Sequence, residues 1–343
     1  MKIILDAMGG DNAPEAVVLG ALDAAKDFQT EIILGGRGED ILAAMKKNGV
    51  NDLPAGVAIA HADDVVDMHD DPAAVLHKRK NSSMVVGLKM LAEGQGDAFV
   101  SAGSTGALLT AATLVVKRVK GIRRAAMAPA FPNKAGGKTI ICDCGANAEC
   151  TPEFLLQFAI VGSLHAKKSL GLQNPRVGLL NIGTEDSKGT ALQLATYPML
   201  MEAHEKGLIN FIGNVEARQV PLGEVDVVVC DGFSGNVLLK SIEGTAMFLG
   251  SKISGMFKKN IVSKLAAMLV MKDIKAFKKL LDYREIGGTQ FVGIKKPVIK
   301  AHGSSDARAF YSAVRQAVDA ANNNTAEELE IALKQISMAK EKA

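Results

Sequence analysis

The chain has 343 residues with a formal net charge of +3, and hydrophobic residues make up 48% of it. Such a composition is typical of a folded globular chain of one or two lobes and excludes collagen-like and disordered proteins. The small net charge and the absence of tryptophan argue against a nucleic-acid partner. The four cysteines lack a spaced disulfide framework, so we expect reduced thiols.

Short β-branched runs alternate with helical stretches along the chain. In chain order, the predicted strands are 2–5, 31–34, 57–60, 98–101, 139–142, 176–180 and 225–230. The predicted helices are 14–26, 39–47, 72–91, 106–116, 152–168, 188–204 and 307–321. This alternation predicts an α/β fold with a mainly parallel sheet that helices cover on both faces. We expect one α/β unit over 1–321, with room for two lobes around a cleft, and a C-terminal helix or tail over 322–343.

Small, polar and acidic residues follow most of the predicted strands. These segments are DAMGGD at 6–11, GG at 35–36, SAGSTG at 101–106, DCGAN at 143–147, NIGTE at 181–185 and DGFSGN at 231–236. In open parallel sheets, ligands bind outside the carboxyl ends of the strands, so the segments predict a functional cleft there.

Several helix starts in these segments suit phosphate, because free N–H groups and hydroxyls gather there. They are a capping box at Asn12 and Glu15, the starts at Ser104 and Ser234, and the segment 302–306 before the last predicted helix. Ordinary N-capping explains each single start equally well, and only the set as a whole favours phosphate.

Other motifs of nucleotide, metal and hydrolase sites are missing. No G-x-G-x-x-G follows a strand, and AGGKT at 135–139 lacks the first glycine of a phosphate loop and precedes a strand. The segment 61–71 is rich in His and Asp but reads better as a solvated acidic loop, and no C-x-x-C or G-x-S-x-G is present. We therefore expect no metal and no cofactor.

The segment 252–284 carries nine basic and two acidic residues. Apolar residues recur there at helical spacing and include Ile274, Phe277 and Leu281, and the run 265–271 is wholly apolar. This pattern predicts a cationic amphipathic helical hairpin with an apolar tip, suited to an anionic membrane surface. Packing against itself or a second subunit explains the same pattern. The candidate membrane-facing residues are Leu265, Met268, Leu269 and Val270.

Seven ordered motifs resemble one bacterial family over nearly the whole chain. They are LDAMGGDNAP, SAGSTGA, DCGAN, NIGTEDSKG, FIGNVEAR, DGFSGNVLLK and HGSSDA. The chain is thereby identified as similar to the PlsX family, the acyl-carrier-protein:phosphate acyltransferases of phospholipid synthesis.

The resemblance implies transfer of a long-chain acyl group from acyl carrier protein (ACP) to inorganic phosphate, giving acyl phosphate and free ACP. It implies a three-layer α/β/α sandwich like phosphotransacetylase and isopropylmalate dehydrogenase, with a protruding helical hairpin. It further implies a cytoplasmic homodimer that binds the inner face of the cell membrane peripherally and supplies a glycerol-3-phosphate acyltransferase.

Four residues are candidates for the chemistry. Lys188, expected at a helix start, would bind phosphate or the oxyanion, and Asn236 would donate to the oxyanion. Asp231 would orient Asn236 or act as a base, and His302 would protonate the departing sulfur or bind phosphate. The candidate substrate- and phosphate-binding residues are Asp6, Gly9, Gly10, Asp11, Gly103, Ser104, Thr105, Gly106, Asp143, Gly145, Asn147, Asn181, Gly183, Glu185, Gly232, Gly235, Gly303 and Ser304.

Three alternatives remain open. One is a phosphotransacetylase that uses short acyl-CoA. Another is a metal- and NAD-dependent β-decarboxylating dehydrogenase. The third is a scaffold that gathers lipid enzymes at a membrane without catalysis. The basic clusters 77–80 and 117–124 could meet an acidic carrier protein or be plain solvated faces.

Overall fold

The computed structural model describes residues 1–280, 282–323 and 325–340. Leu281, Asn324 and the last three residues, which belong to the predicted hairpin and tail, lie outside it. The first half contains β1 (Lys2–Asp6), α1 (Glu15–Phe28), β2 (Glu31–Gly36), α2 (Gly38–Lys47), β3 (Val57–His61), α3 (Val75–Lys78), α4 (Ser83–Ala92), β4 (Ala98–Ser101), α5 (Thr105–Ala111), a π-helix (Ala112–Val116), β5 (Ala126–Met127), β6 (Ala130–Pro132), β7 (Lys138–Cys142) and α6 (Pro152–Leu170). The second half contains β8 (Arg176–Asn181), α7 (Ala191–Glu205), β9 (Asn210–Glu216), a 3-10 helix (Ala217–Gln219), β10 (Val227–Val229), α8 (Gly232–Lys258), α9 (Ile261–Leu269), α10 (Met271–Leu280), α11 (Tyr283–Ile286), β11 (Gly288–Val292), β12 (Val298–Ala301), α12 (Ala307–Asn322) and α13 (Ala326–Lys340).

The strands form two sheets. The first has the order β3-β2-β1-β4-β12-β11-β5 and the second the order β6-β7-β10-β8-β9. Parallel pairs dominate both, while β11 and β6 pair antiparallel with their neighbours. The predicted mainly parallel α/β fold is confirmed, but as two mixed sheets.

Helices cover both faces of each sheet, and alternate strand residues enter different cores. In β1, Ile3 and Leu5 pack with α1 and α12, while Ile4 packs on the opposite face with α4. In β10, Val227 and Val229 face the core formed with α6 and α7, while Val228 faces a smaller core beneath α8. Such nearly continuous apolar strands are expected where both faces are buried, and this confirms the three-layer arrangement.

Several element boundaries differ from the prediction. The single helix predicted over 72–91 is two helices, because the chain turns at Arg79, whose guanidinium pairs with Asp64 and Asp70. The segment 98–116 is a strand, a loop and a buried helix, as predicted. None of the helices in the described part of the chain combines the length and apolarity needed to cross a membrane.

The predicted hairpin comprises the end of α8 followed by α9 and α10. The apolar run 265–271 spans the end of α9 and the turn into α10. Leu269 is 88% exposed and Met268 62%, while Ala267 packs inward. Leu265 and Val270 are exposed as well.

Candidate active site

Asp6 is buried where β1 ends, and three groups bind it. Its carboxylate accepts hydrogen bonds from the hydroxyls of Ser83 (2.6 Å) and Ser101 (2.7 Å) and from the backbone N–H of Met8 (3.2 Å). Burial raises the pKa of Asp6 above its ordinary value, although these hydrogen bonds oppose the shift. A Cβ atom added at Gly9 would lie 2.6 Å from this carboxylate. Asp6 therefore fixes the loops that follow β1 and β4.

Gly10 and Gly303 bring the loops after β1 and β12 together. Gly10 has φ +103°, and a Cβ atom there would lie 2.9 Å from that of Ala102. The backbone N–H of Asp11 donates to the carbonyl of Gly303 at 2.8 Å. Asn12 donates its side-chain amide to the carbonyl of Ser304 at 3.2 Å. The predicted capping box is wrong, because α1 begins at Glu15 with Pro14 at its N-cap position and without a side-chain cap, and the Glu15 carboxylate accepts from Lys47 and Asn48.

His302 lies beside this junction and has a defined tautomer. Its Nδ1 accepts from the backbone N–H of Ser304 at 3.3 Å and lies 2.8 Å from the Ser304 hydroxyl. Burial, followed by the charges of Lys240 and Lys300, lowers the pKa of His302. The imidazole is therefore neutral at pH 7 with its proton on Nε2, which can donate a hydrogen bond.

Lys300, which the sequence reasoning missed, is buried in β12. Its ammonium donates to the carbonyls of Ala102 and Ala301. Burial lowers its pKa to about 8, while the charges of Asp11 and Asp6 oppose the shift. The available signal was a lysine inside the otherwise apolar run VIKA, directly before His302.

Replacing Lys300 by methionine should remove a pH-dependent part of the stability. The folded-state pKa is about 8 and the ordinary value is 10.5. Below pH 8 the Lys300 ammonium is protonated in both the folded and the unfolded state, so burial of its charge lowers the free energy of unfolding by the full amount. Between pH 8 and 10.5 the folded state loses its proton first, so this contribution to the free energy of unfolding rises by on the order of 1 kcal/mol per pH unit. Urea unfolding at pH 7.5 and 10 measures this rise. An equal change in the free energy of unfolding between the two pH values in the unaltered protein and in the methionine variant would contradict it.

Asp143 organises the loop after β7. Its buried carboxylate accepts from the backbone N–H groups of Met127 (2.7 Å), Cys144 (2.7 Å) and Asn147 (2.6 Å). The side-chain amide of Asn147 also donates to it at 3.0 Å. Burial raises the pKa of Asp143, and these bonds oppose the shift. Asp143 therefore shapes the loop 143–147.

The start of α8 packs directly on that loop. A Cβ atom added at Gly232 would lie 2.7 Å from an Asp143 carboxylate oxygen, and one at Gly235 would lie 2.0 Å from the Asp143 carbonyl. Gly145, with φ +99°, faces Asn236, whose Cγ would lie 3.8 Å from an added Cβ atom. The exposed Asn236 side chain thus lies next to the turn at Gly145.

Asp231 is the N-cap of α8. Its two carboxylate oxygens accept from the backbone N–H and the hydroxyl of Ser234, both at 2.8 Å. The helix therefore begins at Gly232 and not at Ser234 as predicted. This capping explains Asp231 without a role as a base.

Lys188 lines an open pocket of about 360 Å³. The pocket is lined by Ile182, Gly183, Thr184, Glu185, Lys188, Glu216 and Arg218. Asn181 shapes it by donating to the Lys188 carbonyl (3.0 Å) and accepting from the Ile182 N–H (2.8 Å). Within the described chain no carboxylate pairs with the exposed Lys188 ammonium, whereas Arg218 pairs with Glu216 at 2.6 Å. Glu216 and Arg218 were missed as site residues, although FIGNVEAR was a recognised motif.

The predicted place of Lys188 at a helix start is wrong. The helix α7 begins at Ala191, and Thr190 caps it through a hydrogen bond from the Leu192 N–H. Lys188 therefore lies in the loop before the helix, where a lysine is less unfavourable to the helix dipole.

The neighbouring strands place these groups along one edge. In the second sheet, Val229 lies beside both Cys142 and Leu179, and Asn181 lies beside Glu216. The residues after β7, β10, β8 and β9 therefore share that edge. Farther along α8, Lys240 and Glu243 interact electrostatically with both His302 and Cys144. The helix α8 thus links the carboxyl ends of the two sheets.

The remaining predicted residues lie at the start of α5. Ser104 is its N-cap position and Thr105 its first residue, and neither side chain forms a capping bond to the residues that the structure describes. Gly106 packs against Pro72, whose Cγ would lie 3.0 Å from an added Cβ atom. Contacts that join this start directly to Lys188 or Asn236 are not found in the described chain.

The cysteines are poor nucleophiles in this fold. Burial, reinforced by the charge of Asp143, raises the pKa values of Cys144 and Cys150 to about 12. Cys142 and Cys230 are fully buried, and burial raises their pKa values as well. Only the thiolate attacks, so these thiols are inert at neutral pH. Over the described ranges, no three His, Cys, Asp or Glu side chains are grouped to hold a metal ion.

Sequence comparison links the chain to one family. The family model described as "Fatty acid synthesis protein" matches residues 1–328. A phosphate acyltransferase of Bacillus licheniformis is 45% identical over 336 residues, covering 98% of this chain and 99% of that protein. The phosphate acyltransferase of Clostridioides difficile is 43% identical over 329 residues, covering 96% and 95%.

Solved structures show a similar fold at low identity. A phosphotransacetylase from Streptococcus pyogenes has a TM-score of 0.60 and 20% identity, covering 96% of this chain and 94% of that one. A 4-hydroxythreonine-4-phosphate dehydrogenase from Klebsiella pneumoniae has a TM-score of 0.52 and 12% identity, covering 94% and 98%. The expected likeness to phosphotransacetylase is confirmed at the level of the fold.

Proposed function

Because the chain belongs to the fatty acid synthesis protein family and is a phosphate acyltransferase, we propose that it transfers a long-chain acyl group from acyl-ACP to inorganic phosphate. The products are acyl phosphate and free ACP, and the acyl phosphate feeds a membrane glycerol-3-phosphate acyltransferase in phosphatidic acid synthesis.

The observation that carries the proposal is the Lys188 pocket. The pocket is polar and open, and it lies at the carboxyl edge of the second sheet. The Lys188 ammonium that lines it pairs with no carboxylate of the described chain. An exposed cation beside glycine backbone suits a phosphate ion.

The chemistry asks little of the protein beyond binding and placement. A phosphate oxygen attacks the thioester carbonyl, a C–O bond forms, and the C–S bond breaks as the electron pair leaves on sulfur. Phosphate is partly dianionic at pH 7, and a thiol has a pKa of about 8.5, so the leaving thiolate is stable without a strong acid. The protein must hold phosphate about 3–3.5 Å from the carbonyl carbon and stabilise the oxyanion.

Three side chains receive roles in this proposal. The Lys188 ammonium binds phosphate, and the Asn236 amide donates to the oxyanion above Gly145. The neutral His302 donates a hydrogen bond from its Nε2–H to the departing sulfur, which leaves as a thiolate. Asp6, Asp143 and Asn181 act as positioning residues through the loops that they bind.

We further propose that the enzyme is a homodimer that binds a membrane surface peripherally through the hairpin. In the described chain, α8 has no buried residue after Leu238, and the exposed side chains include Met247, Phe248 and Met256. A helix with this apolar surface needs a partner. A second subunit along α8 and a lipid interface at the tip together would supply it.

The substitution Leu269→Asp should weaken binding to anionic vesicles by about tenfold or more, because a buried leucine contributes about 1.5–3 kcal/mol. Co-sedimentation with phosphatidylglycerol vesicles measures the loss. Leu42→Asp, on α2, is the matched control because Leu42 is also exposed. Unchanged vesicle binding would contradict the proposal, and a change in oligomeric mass alone would assign the tip to the partner subunit.

The donor experiment separates this proposal from its alternatives. Palmitoyl-ACP, palmitoyl-CoA and acetyl-CoA are compared at fixed phosphate. We expect the highest kcat/KM with palmitoyl-ACP. A preference for acetyl-CoA would favour the phosphotransacetylase reaction. No turnover with any donor, together with vesicle binding, would favour the scaffold.

A further inference from the structure

The loop 117–125 presents cations on a rigid base. It contains five basic and no acidic residues over 117–124. Val119, Ile122 and Ala125 point inward and are buried, whereas Lys117, Lys120, Arg123 and Arg124 are exposed. The exposed Lys295 adjoins them, because its backbone N–H donates to the Lys117 carbonyl at 3.0 Å. We call these five exposed cations together with Arg118 the basic surface.

Hydrogen bonds to neighbouring elements hold the loop 117–125 in place. The Val119 N–H donates to the carbonyl of Gly293 at 2.9 Å. The Gln157 side chain of α6 donates to the Gly121 carbonyl and accepts from the Arg123 N–H, both at 2.9 Å. The backbone that carries the cations therefore has a fixed arrangement before any partner arrives, which lowers the entropy cost of binding.

The basic surface carries uncompensated charge. Throughout the described ranges, none of its six cations pairs with a carboxylate. The other basic cluster, at 77–80, differs. Arg79 there pairs with Asp64 at 3.1 Å and Asp70 at 2.9 Å, and the segment 61–80 contains five aspartates against three basic residues. Of these two clusters, the basic surface is therefore the one with net positive charge to attract an acidic partner.

The basic surface is joined to the site loop. The Asn147 amide donates to the Ala125 carbonyl at 2.8 Å. The loop 143–147 is therefore hydrogen-bonded to the last residue of the loop 117–125. Arg124 lies 5.8 Å from the ring centre of Phe154 in the first turn of α6. A partner bound here is held beside the loop that faces Asn236.

We propose that the basic surface docks the acidic carrier protein that delivers the acyl group. This inference rests on the proposed function, since it names the place where the acyl-ACP donor binds. Charge complementarity steers association, and the apolar side chains Val119 and Ile122 point away from the surface, which suits a protein partner more than insertion into lipid.

Charge reversal at two exposed positions tests the docking. In the variant Lys120→Glu/Arg123→Glu, the KM for palmitoyl-ACP should rise about tenfold while kcat stays within about twofold. The kcat/KM for octanoyl-pantetheine, which has no carrier and no nucleotide, should not change. The matched control Lys78→Glu/Lys80→Glu should leave all values unchanged. Thermal unfolding verifies that each variant folds.

Every outcome other than the expected one overturns the docking proposal. An unchanged KM for palmitoyl-ACP, or an equal loss with octanoyl-pantetheine, removes docking from this surface. A loss of palmitoyl-CoA turnover alone would assign the surface to nucleotide phosphates, and a loss of vesicle binding would assign it to lipid. If the unaltered protein turns over no thioester, the proposed function itself fails, which is a different result from a carrier-specific loss.

Discussion

The substitution Lys188→Ala is expected to lower kcat at least about a hundredfold, the loss seen when one group that stabilises transition-state charge is removed. The KM for phosphate should rise, while the KM for the acyl donor should change little. The reason is that the Lys188 ammonium faces an open pocket, and within the described chain it pairs with no carboxylate. Steady-state kinetics at varied phosphate measures both effects.

The fold should tolerate this change. The Lys188 side chain is exposed, and the Asn181 amide binds its backbone carbonyl, which alanine retains. Lys167→Ala, an exposed lysine on α6, is the matched control and should keep full activity. Lys188→Arg should recover part of the rate, because a guanidinium also binds phosphate. Unchanged turnover in Lys188→Ala would remove this residue from the mechanism.

The substitution Gly235→Ala should destabilise the protein by about 3 kcal/mol or more, the upper range for overpacking. The added Cβ atom would lie 2.0 Å from the Asp143 carbonyl and 2.9 Å from the Cys230 sulfur. Either α8 or the loop 143–147 must move. Because Asn236 follows directly in the chain, turnover should fall with stability. Urea unfolding and kinetics on the same preparation measure the two losses.

The same helix supplies the control for Gly235. A Cβ atom added at Gly244 meets no atom within 4 Å. Gly244→Ala should therefore raise the helix propensity and stabilise the protein by about 0.5–1 kcal/mol. If Gly235→Ala unfolds at the same urea concentration as the unaltered protein, the close packing between α8 and the Asp143 loop is wrong.

The strands and their carboxyl ends were predictable because buried parallel strands read as apolar runs with glycine and polar residues after them. The strands β5, β6, β9, β11 and β12 were missed. β12 is short and a lysine interrupts it, and β11 begins with Gly288, Thr289 and Gln290. Pairing with β4 stabilises β12 in a register that no local pattern reveals.

The loops of the candidate site were predictable, but the contacts of the side chains within them were not. Asp6, Asp143 and Asp231 look alike in sequence because each follows a strand. Only the structure shows that Asp6 binds two serine hydroxyls, that Asp143 binds its own loop and that Asp231 caps α8. These partners lie up to 95 residues away in the chain, and long-range contacts of this kind leave no periodic signal.

The most direct test is release of free thiol from palmitoyl-ACP by the purified protein, with and without phosphate, followed by removal of unreacted palmitoyl-ACP and treatment of the remaining product with hydroxylamine. We expect release that depends on phosphate, and a hydroxamate formed when hydroxylamine traps the acyl phosphate. Release that is independent of phosphate, or release without hydroxamate, would contradict transfer to phosphate.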